Sequence, residues 1–148
     1  MKKLAIPKSF AIFGDSIGRG VMYDPNKDSY DTNRGFVSML EKRWGIRSMN
    51  FTRFGQTVSK GLKMLERNGK KYDLVFMDPP YDRELEKHVM ETFQNSCLAD
   101  EDTLFIIEAS LGTDFSWAGP MGYEIIRTKE YKTNKHVFLM KALETDKN

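Results

Sequence analysis

Tyr72-Asp73-Leu74-Val75-Phe76-Met77-Asp78-Pro79-Pro80-Tyr81 is the stretch on which the reading of this sequence turns. Its first six residues form a short, nearly continuous apolar run, the pattern of a strand buried on both faces of a parallel sheet. The two prolines then force the chain out of the ladder, because proline has no N–H to donate and the residue before each proline avoids the α region.

Upstream, Ser9 to Phe13 gives a first buried strand ending in Gly14, followed by a polar loop through Asp24, Pro25, Asn26 and Asp31. Phe36, Met39, Leu40 and Trp44 recur at helical spacing and Gly45 stops that helix. Met49 to Phe54 reads as a second strand closed by Gly55, and Val58, Leu62 and Leu65 mark a helix ending near Asn68-Gly69. Downstream, Leu85, Val89 and Phe93 stripe a third helix, and Thr103 to Ala109 is a fourth buried strand with Glu108 near its carboxyl end. Leu111 to Gly122, carrying Gly112, Gly119, Pro120 and Gly122, is expected to be irregular or one short helix. Tyr123 to Tyr131 and His136 to Lys141, joined by residues 132–135, read as a closing antiparallel hairpin.

Strands alternating with helices require right-handed crossovers, which places helices on both faces of a parallel sheet. The expected fold is a three-layer α/β/α sheet of Rossmann-like or flavodoxin-like type. It is mostly parallel, with strand order 2-1-3-4-6-5 and an antiparallel hairpin at its end. The 148 residues, 40% hydrophobic and 12% aromatic, suffice for one ordinary core, so a single domain over 1–148 is expected.

No run of 18 apolar residues exists, and Met1 to Phe10 lacks a signal peptide's apolar stretch, so a cytoplasmic protein with no membrane partner is expected. One cysteine, Cys97, excludes an intramolecular disulfide framework, and His88 and His136 stand too far apart for a Cys/His zinc site. Cys97 itself reads as a small buried apolar group, His88 as a helix-surface residue, Met39, Met64, Met77 and Met90 as core filler, and Trp44 and Trp117 as packing residues. The net charge of +2 conceals a division: residues 1–72 carry 15 Lys/Arg against 6 Asp/Glu, and residues 73–148 carry 8 against 15. A basic half of this kind fits either an anionic partner or a merely solvated surface.

Ligands of parallel sheets sit beyond the carboxyl ends of the strands. Gly14-Asp15-Ser16, Gly55, Asp78 to Tyr81, and Glu108 to Ser110 all fall there. Ser16 on a strand-to-helix turn is either a nucleophile served by a base and an oxyanion hole, or a helix cap. Asp78-Pro79-Pro80-Tyr81 is either a proline-rich turn or a recognition element. In the second case a carboxylate and proline carbonyls accept from an exocyclic amine while the ring stacks on its base.

Two resemblances follow from these motifs. Phe10 to about Leu62, with Phe13-Gly14-Asp15-Ser16 and Asn50-Phe51-Thr52-Arg53-Phe54-Gly55, resembles the amino-terminal part of the GDSL or SGNH hydrolases. That implies Ser16 as nucleophile and Gly55 as oxyanion-hole glycine. The family's asparagine block is absent, since Met77-Asp78-Pro79-Pro80 stands in its place, and Thr133 rather than an acid precedes His136 by three. From about Leu65 to Leu143 the chain resembles the carboxyl-terminal half of the bacterial small-subunit ribosomal RNA guanine-N2 methyltransferases. The likeness runs through Tyr72 to Tyr81, Ile106 to Ser110, Thr113 to Ser116, and Gly122 to Phe138. It implies that Asp78, Pro79, Pro80 and Tyr81 position the target amine against S-adenosylmethionine.

The cofactor half of that family, a Gly-x-Gly loop and a ribose-gripping acid, is not matched by Gly14-Asp15-Ser16-Ile17-Gly18 and Thr52-Arg53-Phe54-Gly55. The sequence-based expectation is therefore an engineered chimera without a complete active site. Residues 1–60 are hydrolase-like and 65–143 methyltransferase-like, with a seam within 55–72, no cofactor and no assured partner. The alternatives are a residual esterase acting through Ser16, or a methyltransferase-like protein that uses S-adenosylmethionine and acts on ribosomal RNA.

Overall fold

The apolar run after Tyr72 lies in the middle of a six-stranded sheet. The structure, a computed structural model, describes residues 6–14, 22–31, 36–46, 48–50, 58–80 and 84–143. Its elements are β1 (Phe10–Gly14), β2 (Met22–Asp24), β3 (Ser29–Asp31), α1 (Phe36–Trp44), β4 (Ser48–Asn50), α2 (Val58–Asn68), β5 (Leu74–Asp78), α3 (Leu85–Gln94), β6 (Leu104–Ser110), β7 (Tyr123–Glu130) and β8 (Asn134–Lys141). The main sheet runs β4-β1-β5-β6-β8-β7, parallel from β4 to β6 and antiparallel through the last two strands. With its six strands numbered along the chain this is 2-1-3-4-6-5, the order expected from the sequence.

Both faces of the parallel half are packed. On one face Ala11, Val75, Met77, Phe105 and Ile107 are buried with Leu65 of α2 and Val89, Met90 and Phe93 of α3. On the other, Phe10, Ile12 and Leu74 meet Val37 of α1, with Leu40 and Trp44 packed alongside. Trp44 sets its ring edge-on to Phe10 at 5.9 Å, a packing role as expected. Gly45 ends α1 at φ 68°, a left-handed conformation natural to glycine, and its N–H donates to the Glu41 carbonyl. Each fully buried Phe or Leu here contributes about 1.5–3 kcal/mol of transfer free energy.

Before β1 the chain is pinned to the strand it will pair with. The backbone N–H groups of Lys8 and Ser9 donate to Asp73 Oδ2 at 2.8 and 3.0 Å. A second buried tie sits at the start of β6, where Thr103 Oγ1 donates to the Tyr72 carbonyl at 2.8 Å and accepts from Asp100 N–H at 3.1 Å. Tyr123 OH, at the start of β7, donates to the Met90 carbonyl at 2.8 Å, and burial pushes its hydroxyl pKa well above the ordinary tyrosine value.

Three expectations change, and a fourth falls outside the described residues. The polar loop through Asp24 and Asp31 contains a two-stranded hairpin, β2 with β3, whose three-residue strands pair Tyr23 with Tyr30. Strands so short leave too few alternating positions for a periodic signal. Cys97 is exposed rather than buried, because it stands in the turn after α3 while Leu98 and Ala99 take the core positions. Met39 and Met64 are exposed on α1 and α2, whereas Met77 and Met90 are buried. The second strand is described only as Ser48–Asn50, and the expected extension to Phe54 lies outside the described residues. No helix among the described residues is long and apolar enough to cross a membrane.

Candidate active site

The candidate site lies at the carboxyl end of β5. Asp78 closes that strand in register with Gly14, the last residue of β1. Alternation along β5 puts Asp78 on the same face as Leu74 and Phe76, opposite Val75 and Met77. Pro79 is buried, Pro80 exposed and Asp78 partly buried. Because neither proline carries an N–H, residues 78–80 present a carboxylate and backbone carbonyls with only Asp78's own backbone donor. Such an acceptor-rich edge is complementary to a ligand that donates, above all a primary or aromatic amine.

Gly14 is required there by close approach. A Cβ at this position would lie 2.9 Å from the Asp78 carbonyl oxygen and 3.2 Å from the Asp78 Cβ. The sequence reading assigned Gly14 to a strand-ending turn and missed this contact. The signal available was the pairing of a glycine-terminated strand with the strand that bears Asp-Pro-Pro.

Across the sheet, β6 and β8 bring together residues that the sequence left apart. Glu108 and His136 are direct cross-strand partners, and a ring nitrogen of His136 lies 3.2 Å from Glu108 Oε2. Asn134 Nδ2 donates to the other carboxylate oxygen, Glu108 Oε1. The His136 ring also meets Phe76 and Tyr131 edge-on, at 6.2 and 4.9 Å. Thus His136 has an acid partner, though not the one three residues before it that a hydrolase block would supply.

The turn-rich segment after β6 is fastened from the other side of the hairpin. Lys135 Nζ donates to the Leu111 and Thr113 carbonyls at 3.0 and 2.8 Å, and Ser110 and Thr113 share a hydroxyl hydrogen bond of 2.9 Å. Asp114 accepts from the Ser116 hydroxyl and backbone N–H, which holds its carboxyl below the usual carboxylate range. Trp117 packs against the core cluster and donates its indole N–H to the Asp114 carbonyl. Of the sequence-predicted site residues, Asp78, Pro79 and Pro80 are placed as described, while Ser16, Gly55 and Tyr81 lie outside the described residues.

Residues 18–140 match the family described as conserved hypothetical protein 95. The chain belongs to that family. An uncharacterized methylase of Rickettsia prowazekii, RP545, is similar to this chain, 29% identical over 112 residues. The match takes in 75% of this chain but only 47% of that protein, so the chain spans about half the length of the curated relative it matches. Among solved structures, yhhF of Escherichia coli, named as a methyltransferase, aligns with a TM-score of 0.56 at 12% identity, over 94% of this chain and 77% of its own. A conserved hypothetical protein of Streptococcus pyogenes aligns with a TM-score of 0.59 at 16% identity, over 91% and 86% respectively. At such identities the likeness is one of fold, and the fold is methyltransferase-like.

Membership of the conserved hypothetical protein 95 family corrects the expectation of a chimera. The match runs through residues 55–72, where the seam was placed, and takes in most of the segment read as hydrolase-like. The physical reason for the misreading is visible at Gly14: the abutting Asp78 backbone demands a glycine at this turn, whatever chemistry follows it. The Gly-Asp-Ser likeness to a hydrolase therefore rests partly on a steric need of the sheet. The expectation of a chain without a cofactor falls with the chimera on which it depended.

Proposed function

We propose that this protein is a methyltransferase that moves a methyl group from S-adenosylmethionine to an exocyclic amine of a nucleobase, with ribosomal RNA guanine N2 as the acceptor the sequence resemblance implies. The observation that carries the reading is the acceptor-rich edge Asp78-Pro79-Pro80 at the end of β5, abutting Gly14 of β1, in a chain that is similar to a protein named as a methylase.

The cofactor, when bound, supplies a methyl group on a positively charged sulfur. Gly14 ends β1 beside Asp78, and Gly18 and Gly20, which follow it in sequence, are the residues that would hold the cofactor at that strand end. Asp78 and the Pro79 carbonyl accept the N–H groups of the incoming amine, which orients its lone pair away from the loop. Tyr81, by its place in the motif, is the residue to stack on the base. No acid follows β4 in Thr52-Arg53-Phe54-Gly55 to hold the ribose, so cofactor affinity is the quantity to measure first.

The test is a thermal-shift titration with S-adenosylmethionine and its demethylated product, followed by transfer of labelled methyl to small-subunit RNA. A melting temperature that rises with ligand concentration is expected, equivalent to about 2.7 kcal/mol at a hundredfold excess over Kd. Asp78→Ala should retain that shift while losing transfer. A melt that millimolar cofactor does not move overturns the reading.

A further inference from the structure

The sheet face that carries Asp78 is covered by α1 only in its parallel half. The apolar cluster on that side draws its strand residues from β1, β5 and β6, and no residue of β7 or β8 joins it. Over the hairpin the same face shows a different chemistry. Arg127 pairs in register with Phe138, and its guanidinium carbon stands 5.8 Å above that ring's centroid. Lys129 pairs in register with His136, and its ammonium stands 5.0 Å above the Tyr131 ring. Tyr131 in turn meets His136, which meets Phe76, two residues before Asp78. Register and strand alternation place these groups on one face, leading from the hairpin edge to the candidate site.

Cations held against aromatic rings on an exposed hairpin are the combination that binds single-stranded nucleic acid: the charges take phosphates, and the rings and guanidinium take bases. Tyr131, Arg127 and Lys129 are all exposed. Glu108, a carboxylate in the middle of the path, already accepts a hydrogen bond from Asn134, which reduces its repulsion of a phosphate. We propose that this face of the β7–β8 hairpin is the docking track for a single-stranded RNA segment that delivers its base to Asp78. The proposal rests on the methyltransferase reading for its purpose, but its binding can be measured without cofactor.

The experiment is fluorescence anisotropy of the whole protein with a labelled single-stranded RNA 12-mer across a salt series, with folding of each variant checked by its melt. Arg127→Gln/Lys129→Gln should weaken binding about tenfold and reduce the slope of log K against log salt by about 1.4, the loss of two phosphate contacts. Tyr131→Ala, which leaves the charges in place, should weaken binding severalfold with an unchanged slope. Lys60→Ala/Lys63→Ala removes the same charge from α2, which packs on the opposite face, and should bind as the wild type does. Equal losses in the hairpin and α2 variants overturn the proposal, as does an absence of wild-type binding. So does equal affinity for duplex RNA, or equal competition by polyglutamate, which would mark a protein partner instead. A negative result here leaves the cofactor titration standing, and a silent cofactor titration leaves the RNA measurement standing, so the two failures are distinguishable.

Discussion

Replacing Gly14 with alanine perturbs the junction of β1 and β5 at one atom. The added Cβ would sit 2.9 Å from the Asp78 carbonyl oxygen and 3.2 Å from the Asp78 Cβ, against 3.4 Å for an ordinary contact. Both neighbours belong to the Asp78 backbone or its root, so a rotamer change cannot relieve the clash, and the strand ends must separate by about 0.5 Å. Overpacking of this kind costs about 1–3 kcal/mol. For a domain of this size that lowers the melting temperature by about 3–10 °C. Gly112→Ala is the matched control, because nothing lies within 4 Å of its added Cβ, and it should change stability by less than about 0.5 kcal/mol. Calorimetric melts of the three proteins give the comparison. Because the displaced atoms belong to Asp78, the proposed function predicts that methyl transfer by Gly14→Ala also falls at temperatures where the variant is fully folded. A Gly14→Ala melt within 1 °C of the wild type would falsify the close-approach reasoning.

Other perturbations test the packing around the site. Thr103→Val removes a donor to the Tyr72 carbonyl and an acceptor for Asp100 N–H, and should destabilise by about 1–3 kcal/mol in urea titration. Tyr123→Phe leaves the buried Met90 carbonyl without its hydroxyl partner and should cost about 1 kcal/mol by the same measurement. Lys71, hydrogen-bonded to Asp100, holds that carboxyl below its ordinary value of 3.8, and Asp100 raises the lysine in return. The carboxylate's contribution is therefore present above its unfolded pKa and lost as pH falls through the lower folded one. The lysine's is present below its unfolded pKa and lost as pH rises through the higher folded one. Denaturant midpoints of Asp100→Asn should consequently differ from wild type at pH 7 and converge with it in acid.

The parallel core and the terminal hairpin were legible because their signals are local. Leu74 to Met77 and Thr103 to Ala109 are apolar runs of strand length, and Lys132-Thr133-Asn134-Lys135 marks the reversal between β7 and β8. Asp78, Pro79 and Pro80 were legible as a motif because two successive prolines have few roles. What the sequence could not display were contacts made across strands. Glu108 and His136 are separated by 28 residues and meet only through the β6–β8 register. Gly14 and Asp78 meet only once β1 lies beside β5. Without those juxtapositions, the Gly14-Asp15-Ser16 turn read as a fragment of other chemistry, and one family's chain read as two.

The pairing of β1 with β5 also bears on how the protein is made. Phe10 opposes Leu74 and Ser9 is tied to Asp73, a separation of 64 residues, whereas β7 and β8 are joined by a three-residue turn. A ribosome releases β1 long before β5 emerges, so until then β1 has only the three-residue β4 to pair with during synthesis. Closing that loop carries the larger entropy, while the hairpin can form as soon as it leaves the exit tunnel. The Asp73 carboxylate, which captures Lys8 and Ser9 through their backbone N–H groups, is thus placed to catch the waiting strand at its first residues. Gly14 and Asp78, at the far end of that ladder, would come together last in the order of translation.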